Sequence, residues 1–281
     1  MDRLPYPDEV VEAPLDLDPR VRRFRCGDEV DTFVVDTKRW LVVVDTQSTP
    51  DLALQLAALC GANRDRRRVL VVNTHADYDH AWGNQVFTGP AASLPTPVIG
   101  HVECAARLAG DDSRVSLRKM EALHPGRFDD LVPTPPNITV GDAGLTIDGG
   151  DLKLSLIHTP GHADDHFSIW IPHLRLVLAG DAAEHPFPHI DAPDGLAKAR
   201  ASLVRLQELD PLHVLPCHGG TVEPELLVRN LAYVNAVSAE PELSLAEAAR
   251  IAQVPLAGLG PIYHDFHADA CAASRALRSA G

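Results

Sequence analysis

Apolar residues recur along the chain with two periods. From Thr32 to Thr46, TFVVDTKRWLVVVDT, β-branched residues crowd both sides of the polar turn DTKR. This pattern predicts a hairpin whose second strand, nearly all apolar, lies at the centre of its sheet. Leu and Ala at helical spacing from Pro50 to Cys60 predict a helix, with Thr49 as N-cap and Gly61 as C-cap. The mostly basic run Arg64, Asp65, Arg66, Arg67 and Arg68 then leads into VLVVNT, another buried strand, which ends at Thr74. VIGH from Val98 reads as a short strand and Val102–Ala109 as a helix. Asp111 to Pro136 is polar, contains proline and shows no clear period, the character of a lid.

Strand patterns resume in ITVGDAGLTIDGGDLKLSLIHT, broken at Gly144 and at Gly149 and Gly150, and continue in HFSIWI and RLVLAG. A helix near Gly195 to Leu209, the short strand HVLP, and helical patterns over Glu223–Ala239 and Leu243–Ala252 follow. Sheet and helix thus alternate in two similar halves, without low complexity, a short-period repeat or a long linker. One domain over residues 1–281 is expected, with residues 1–25 as an N-terminal arm and residues 240–281 as a C-terminal helical extension.

Composition narrows the partners. The 281 residues are 45% hydrophobic and 23% charged, as in folded globular proteins. Lys plus Arg number 25 against 39 Asp plus Glu, a net charge of -14 that repels phosphate backbones and argues against nucleic acid. The opening MDRLPYPDEVVEAPLDLDPR has no apolar core of a signal peptide, and no segment approaches the roughly 18–20 apolar residues of a membrane span. A cytoplasmic location with no membrane partner is expected, and a homo-oligomer is compatible with all of this. The 5 cysteines, at positions 26, 60, 104, 217 and 271, form no CxxC pair, so neither a disulfide framework nor a thiolate zinc site is expected.

Histidine, with 14 copies, is the abundant reactive residue instead. Directly after VLVVN, the segment THADYDHAWGN packs four side chains able to ligate a metal: His75, Asp77, Asp79 and His80. On an extended or tightly looped backbone the first three can point to one side while His80 turns to the other, so two adjacent ions could divide the cluster. Three more candidates end apolar runs: His162 in HTPGH, Asp181 in LVLAGD and His218 in VLPCHGG. Strand ends are where α/β folds place their sites, because the strands supply a rigid frame for polar loops.

With these residues in view, the sequence resembles the metallo-β-lactamase superfamily across roughly Thr32 to Gly220. The family pattern is HxHxDH, a His in a TPGH turn, an Asp closing a GD strand end, and a His before Gly; here these appear in order as His75-x-Asp77-x-Asp79-His80, His162, Asp181 and His218. The resemblance implies an α+β fold, a four-layer αββα sandwich, and two divalent metal ions. It assigns His75, Asp77 and His162 to the first ion, Asp79, His80 and His218 to the second, and Asp181 to the bridge; Asp79 also carries the catalytic assignment. The implied activity is that of a dinuclear metallo-hydrolase acting on a small-molecule substrate, an ester, thioester, lactone or amide, through a metal-bridging hydroxide.

One position departs from the pattern: Asp77 stands where the family has its second His. An added carboxylate makes the centre less positive and favours harder ions, so iron or manganese compete with zinc, the family's usual metal. The flavodiiron branch similarly has a carboxylate there. Iron-dependent redox chemistry on a sulfur or oxygen substrate, and a non-catalytic ligand-binding protein whose first metal site has decayed at Asp77, are the alternative readings. His158, His166, His185 and His189 flank the motif histidines as candidate supporting groups, and Tyr78, Trp82 and Phe187 as candidate pocket residues.

Overall fold

The computed structural model describes residues 7–62 and 68–280, so residues 1–6 and Arg64, Asp65, Arg66 and Arg67 of the basic run lie outside the described residues. The chain divides into two compact units, Met1–Leu154 and Ser155–Gly281.

The first unit is built on a seven-stranded sheet whose spatial order follows the sequence: β1 (Val11–Ala13), β2 (Val21–Cys26), β3 (Val30–Asp36), β4 (Leu41–Val44), β5 (Val69–Val72), β6 (Val98–His101) and β7 (Ile138–Val140). Strands β1 to β4 pair antiparallel; β4 to β7 run parallel, because longer crossovers separate them. As the sequence predicts, β4 is central, and it and β5 are wholly buried. Burial on both faces explains why these strands read as unbroken apolar runs.

The residues expected to form an N-terminal arm contribute β1 and most of β2 to this sheet. The arginines of VRRFRC hid β2. They interrupt the apolar pattern while Val21, Phe24 and Cys26 stay buried, and they pair with carboxylates: Arg22, whose guanidinium also covers the Phe24 ring, with Glu12 and Arg25 with Asp31, each at 2.7 Å or less.

Helix α1 (Pro50–Cys60) starts and stops where its caps predict. The Thr49 side chain accepts from the Leu52 amide at 3.3 Å, and Gly61 takes the left-handed conformation that glycine tolerates, with φ 84°. After β5 come α2 (Tyr78–Ala81) and a 3-10 turn over Trp82–Val86. A Cβ on Gly83 would sit 2.0 Å from the Thr46 carbonyl, so only glycine lets this turn approach the loop after β4.

Helix α3 (Val102–Ala109) follows β6, and the stretch from Asp111 opens as α4 (Asp111–Leu123). Its period was illegible because only Ser113 on it is buried. Beyond α4 the chain is anchored: Arg127 Nη2 donates to Glu29 Oε2 at 2.6 Å and to Ser48 Oγ at 2.9 Å, while Phe128 packs edge-on against Trp82 at 5.4 Å. Strand β8 (Leu145–Asp148) then turns at Gly149 and Gly150 into β9 (Lys153–His158), within which the division between the units falls.

The second unit arranges β9, β10 (Phe167–Ile171), β11 (Leu176–Gly180) and β12 (His213–Pro216) in the order β12-β11-β10-β9, with only β11 and β12 parallel. Its helices are α5 (Gly195–Glu208), α6 (Glu225–Ala239), α7 (Leu245–Ala252) and α8 (Pro261–Ala280). Phe187, read from sequence as a pocket candidate, is a core residue here: it is fully buried and stacks on Tyr233 with ring centroids 4.4 Å apart. None of the 5 cysteines forms a disulfide, and all are buried. Among the described residues, no helix is long and apolar enough to cross a membrane.

Candidate metal centre

In the first unit, β5 ends at Val72 and delivers Asn73, Thr74 and His75 into a fully buried turn. Asp77 is the N-cap of α2, and Asp79 and His80 lie in that helix's single turn, so the cluster is partly helical where an extended or looped backbone was expected. The imidazoles of His75 and His80 lie against each other with ring centroids 4.1 Å apart.

Their orientation is set by Asp45, a residue in the left-handed region (φ 68°) just after β4. Its fully buried carboxylate accepts from the Thr74 amide at 2.7 Å, from Thr74 Oγ1 at 2.8 Å and from His80 Nδ1 at 2.9 Å. The Thr74 hydroxyl spends its one proton on Asp45, so its 3.0 Å contact with His75 Nδ1 is one in which the imidazole donates. Both rings thus carry the proton on Nδ1 and turn the Nε2 lone pair outward, as a metal ligand requires.

Each Nε2 faces a carboxylate at the same separation: His75 Nε2 to Asp77 Oδ2, and His80 Nε2 to Asp79 Oδ2, both 3.6 Å. That is long for a hydrogen bond. Two donors on one ion, each about 2.0–2.2 Å from it, sit roughly 3–3.5 Å apart, so these pairs fit a shared ion.

The second unit repeats this spacing with residues from three loops. His162 Nε2 lies 3.7 Å and His218 Nε2 3.4 Å from the same oxygen, Asp181 Oδ2. His162 Nδ1 donates to the His189 carbonyl at 3.0 Å, which again leaves Nε2 as the outward lone pair. The Asp181 amide donates to His166 Nε2 at 3.0 Å; His166 Nδ1 donates to Thr159 Oγ1, Thr159 to Ser168 Oγ, and Ser168 to the Ala179 carbonyl, each at 2.9 Å. This directed chain fixes the strand end that carries Asp181. Nearby, the buried Glu184 accepts from the His189 amide at 3.1 Å; burial first, then the Asp181 charge, pushes its carboxyl up to about 7.

All seven residues singled out from sequence therefore fall into two sets, His75, Asp77, Asp79 and His80 in one unit and His162, Asp181 and His218 in the other. Sequence reading named His166 and His189 as supporting groups but missed Asp45 and Arg107. Asp45 follows the apolar run LVVV as Asp181 follows LVLAG, a signal that was available; Arg107, on α3, carried none. The Arg107 guanidinium donates to Asp77 Oδ1 at 2.5 Å. Beside that pair lies a cavity of about 270 Å³ bordered by Ala76, Tyr78, Trp82, Lys119 and Met120.

The family model for the metallo-beta-lactamase superfamily matches residues 27–218. The beta-lactamase-like protein 2 homolog of Caenorhabditis elegans is 33% identical over 81 residues, which are 28% of this chain and 25% of that protein. A protein of Aspergillus versicolor named for a transcription-factor role is 29% identical over 147 residues, 50% of this chain and 40% of that one. The chain thus spans less than half the length of the curated relatives it matches. Among solved structures, a metallo-beta-lactamase family protein from Thermus thermophilus superposes with a TM-score of 0.60 at 20% identity, covering 97% of this chain and 93% of that one. A stereoselective inverting sec-alkylsulfatase from Pseudomonas sp. gives 0.62 at 17% identity, covering 95% of this chain and 50% of that one. These likenesses establish the fold, an α+β metallo-β-lactamase sandwich with two sheets.

Proposed function

We propose, for a chain that belongs to the metallo-beta-lactamase superfamily, that it is a dinuclear metal-dependent hydrolase of a small carbonyl substrate: an ester, thioester, lactone or amide. In this reading the two ligand sets form one centre. His75, Asp77 and His162 would hold the first ion, Asp79, His80 and His218 the second, and Asp181 would serve both. The observation that carries the reading is the repeated imidazole–carboxylate separation of 3.4–3.7 Å, with three of the four Nε2 atoms turned outward by a bond at Nδ1.

Two divalent ions supply Lewis acidity and make a bound water acidic enough to act near neutral pH. The chain's own groups do the rest. Asp45 and the His189 carbonyl keep protons on the Nδ1 atoms of His80 and His162, and so keep their Nε2 atoms basic. Asp79, 7% exposed, is the carboxylate assigned to take the proton of the attacking water. The cavity beside Asp77, with Tyr78, Trp82 and Met120 on its wall, offers an apolar surface for the substrate.

The test is metal analysis followed by a screen of ester, thioester, lactone and amide substrates on a metal-defined preparation. His162→Ala and His218→Ala should each lose metal, by different amounts, because they serve different ions; the exposed His173 is the control, and its alanine variant should match wild type. Two ions retained in both variants would sink the assignment. The carboxylate at Asp77 favours one second reading, iron-dependent redox chemistry, which requires iron in the purified protein.

A further inference from the structure

Asp77 occupies the N-cap of α2, where an aspartate ordinarily accepts a hydrogen bond from the helix's first turn, yet its side chain makes no such bond. The side chain is committed elsewhere. Oδ1 receives the Arg107 guanidinium at 2.5 Å, and Oδ2 lies 3.6 Å from His75 Nε2. Arg107 reaches it from the last turn of α3. The two side chains are 41% and 33% exposed, so the pair is reachable by solvent but short and charge-assisted.

An aspartate and an arginine in contact carry no net charge, which is also the formal charge of the imidazole that the family pattern places at this position. We infer that Arg107 is a positioning residue that makes Asp77 serve as a neutral, one-oxygen ligand, replacing in charge and denticity the histidine the chain lacks. The guanidinium engages one carboxylate oxygen and leaves the other for an ion. Its positive charge offsets the extra negative charge, so the centre regains the electrostatics of an all-histidine first site. This rests on the assignment of Asp77 as a ligand.

The experiment is a zinc titration of the metal-free full-length protein by chelator competition, with cobalt(II) absorption spectra as a second readout. Without Arg107 the carboxylate loses the guanidinium counter-charge, and Oδ1 as well as Oδ2 is released to coordinate. Arg107→Ala should therefore bind zinc about tenfold more tightly, and its cobalt(II) spectrum should change as a second oxygen coordinates. Arg107→Lys restores the charge and should return both readouts toward wild type. A merely structural role would give the opposite sign, a loss of affinity on removing Arg107; that result, or an affinity within twofold of wild type with an unchanged spectrum, overturns the inference. If Arg107→Ala does not fold by circular dichroism, Arg107→Gln removes the charge at similar length and is read in the same way. Asp77→Asn separates the two levels. If it weakens zinc while Arg107→Ala does not tighten it, only the inference fails; if neither variant changes zinc binding, Asp77 is not a ligand, and the assignment beneath it fails as well.

Discussion

The two units hold their candidate ligands by different means. In the first, four candidates come from one loop and the short helix that follows, and a buried anion, Asp45, orients the two imidazoles among them through His80 Nδ1 and Thr74. In the second, His162, Asp181 and His218 come from three loops, and neutral groups orient two of them: the His189 carbonyl holds His162 and the His166 imidazole holds Asp181. A carboxylate behind an imidazole raises its basicity and strengthens it as a ligand, at the cost of a charge taken out of water. A carbonyl fixes the same tautomer without that cost. The first unit's candidate set should thus depend on one side chain, and the second unit's should be spread over several groups.

The most damaging way to probe this asymmetry is Asp45→Ala. It strands the Thr74 amide, the Thr74 hydroxyl and His80 Nδ1 in a fully buried place, and breaking a buried hydrogen-bonded charge of this kind costs about 3–5 kcal/mol. Against a typical total of about 5–15 kcal/mol, that is a large part of the protein's stability. Asp45→Asn keeps the shape and removes the charge; it should fold and bind zinc about 10- to 100-fold more weakly. Urea unfolding and zinc titration read the two effects, and an Asn variant with wild-type zinc affinity would show that the charge of Asp45 does nothing for the ligands.

A smaller effect tests whether the second unit's support is neutral throughout. Glu184 has an ordinary value of 4.5 and is pushed up to about 7, chiefly by burial and then by Asp181. A carboxyl raised on folding binds more protons in the folded state than in the unfolded one. Without metal the protein should therefore lose stability as pH rises from about 4.5 to 7, by about 3 kcal/mol if the shift is fully expressed. Glu184→Gln removes that slope. Unfolding of both metal-free proteins between pH 5 and pH 8 checks it; parallel profiles would mean that Glu184 is ionised throughout and that the second unit, like the first, has a buried anion among its supporting groups.

What the sequence makes legible follows the same division. Strands β4, β5, β10 and β11 and the capped helix α1 were readable because apolar runs, Thr49 and Gly61 are local signals. The cluster His75–His80 was readable because its members are adjacent, and His162, Asp181 and His218 because each ends an apolar run. Strand β2 was not, since its arginines break the apolar pattern, nor was α4, which buries almost nothing. The supporting contacts span the chain: Asp45 reaches His80 across 35 positions and Arg107 reaches Asp77 across 30, and no local period encodes a pairing of that length.

The mildest substitution separates a side chain from its backbone. His189 orients His162 through its carbonyl, which every residue possesses, while its ring does something else: it stacks on Phe266 at 4.3 Å and meets Asp269 Oδ2 at 3.2 Å. His189→Ala removes the stacking and a partly exposed polar contact with Asp269, together worth about 1 kcal/mol. The carbonyl stays, so zinc affinity should remain within about threefold of wild type, where loss of the corresponding support in the first unit costs at least tenfold. Zinc titration beside thermal unfolding makes the comparison directly. A tenfold loss of zinc in His189→Ala would mean that the ring, by holding its loop against Phe266, supports His162 as Asp45 supports His80, and the asymmetry between the two units would then be one of chemistry alone and not of dependence on a single side chain.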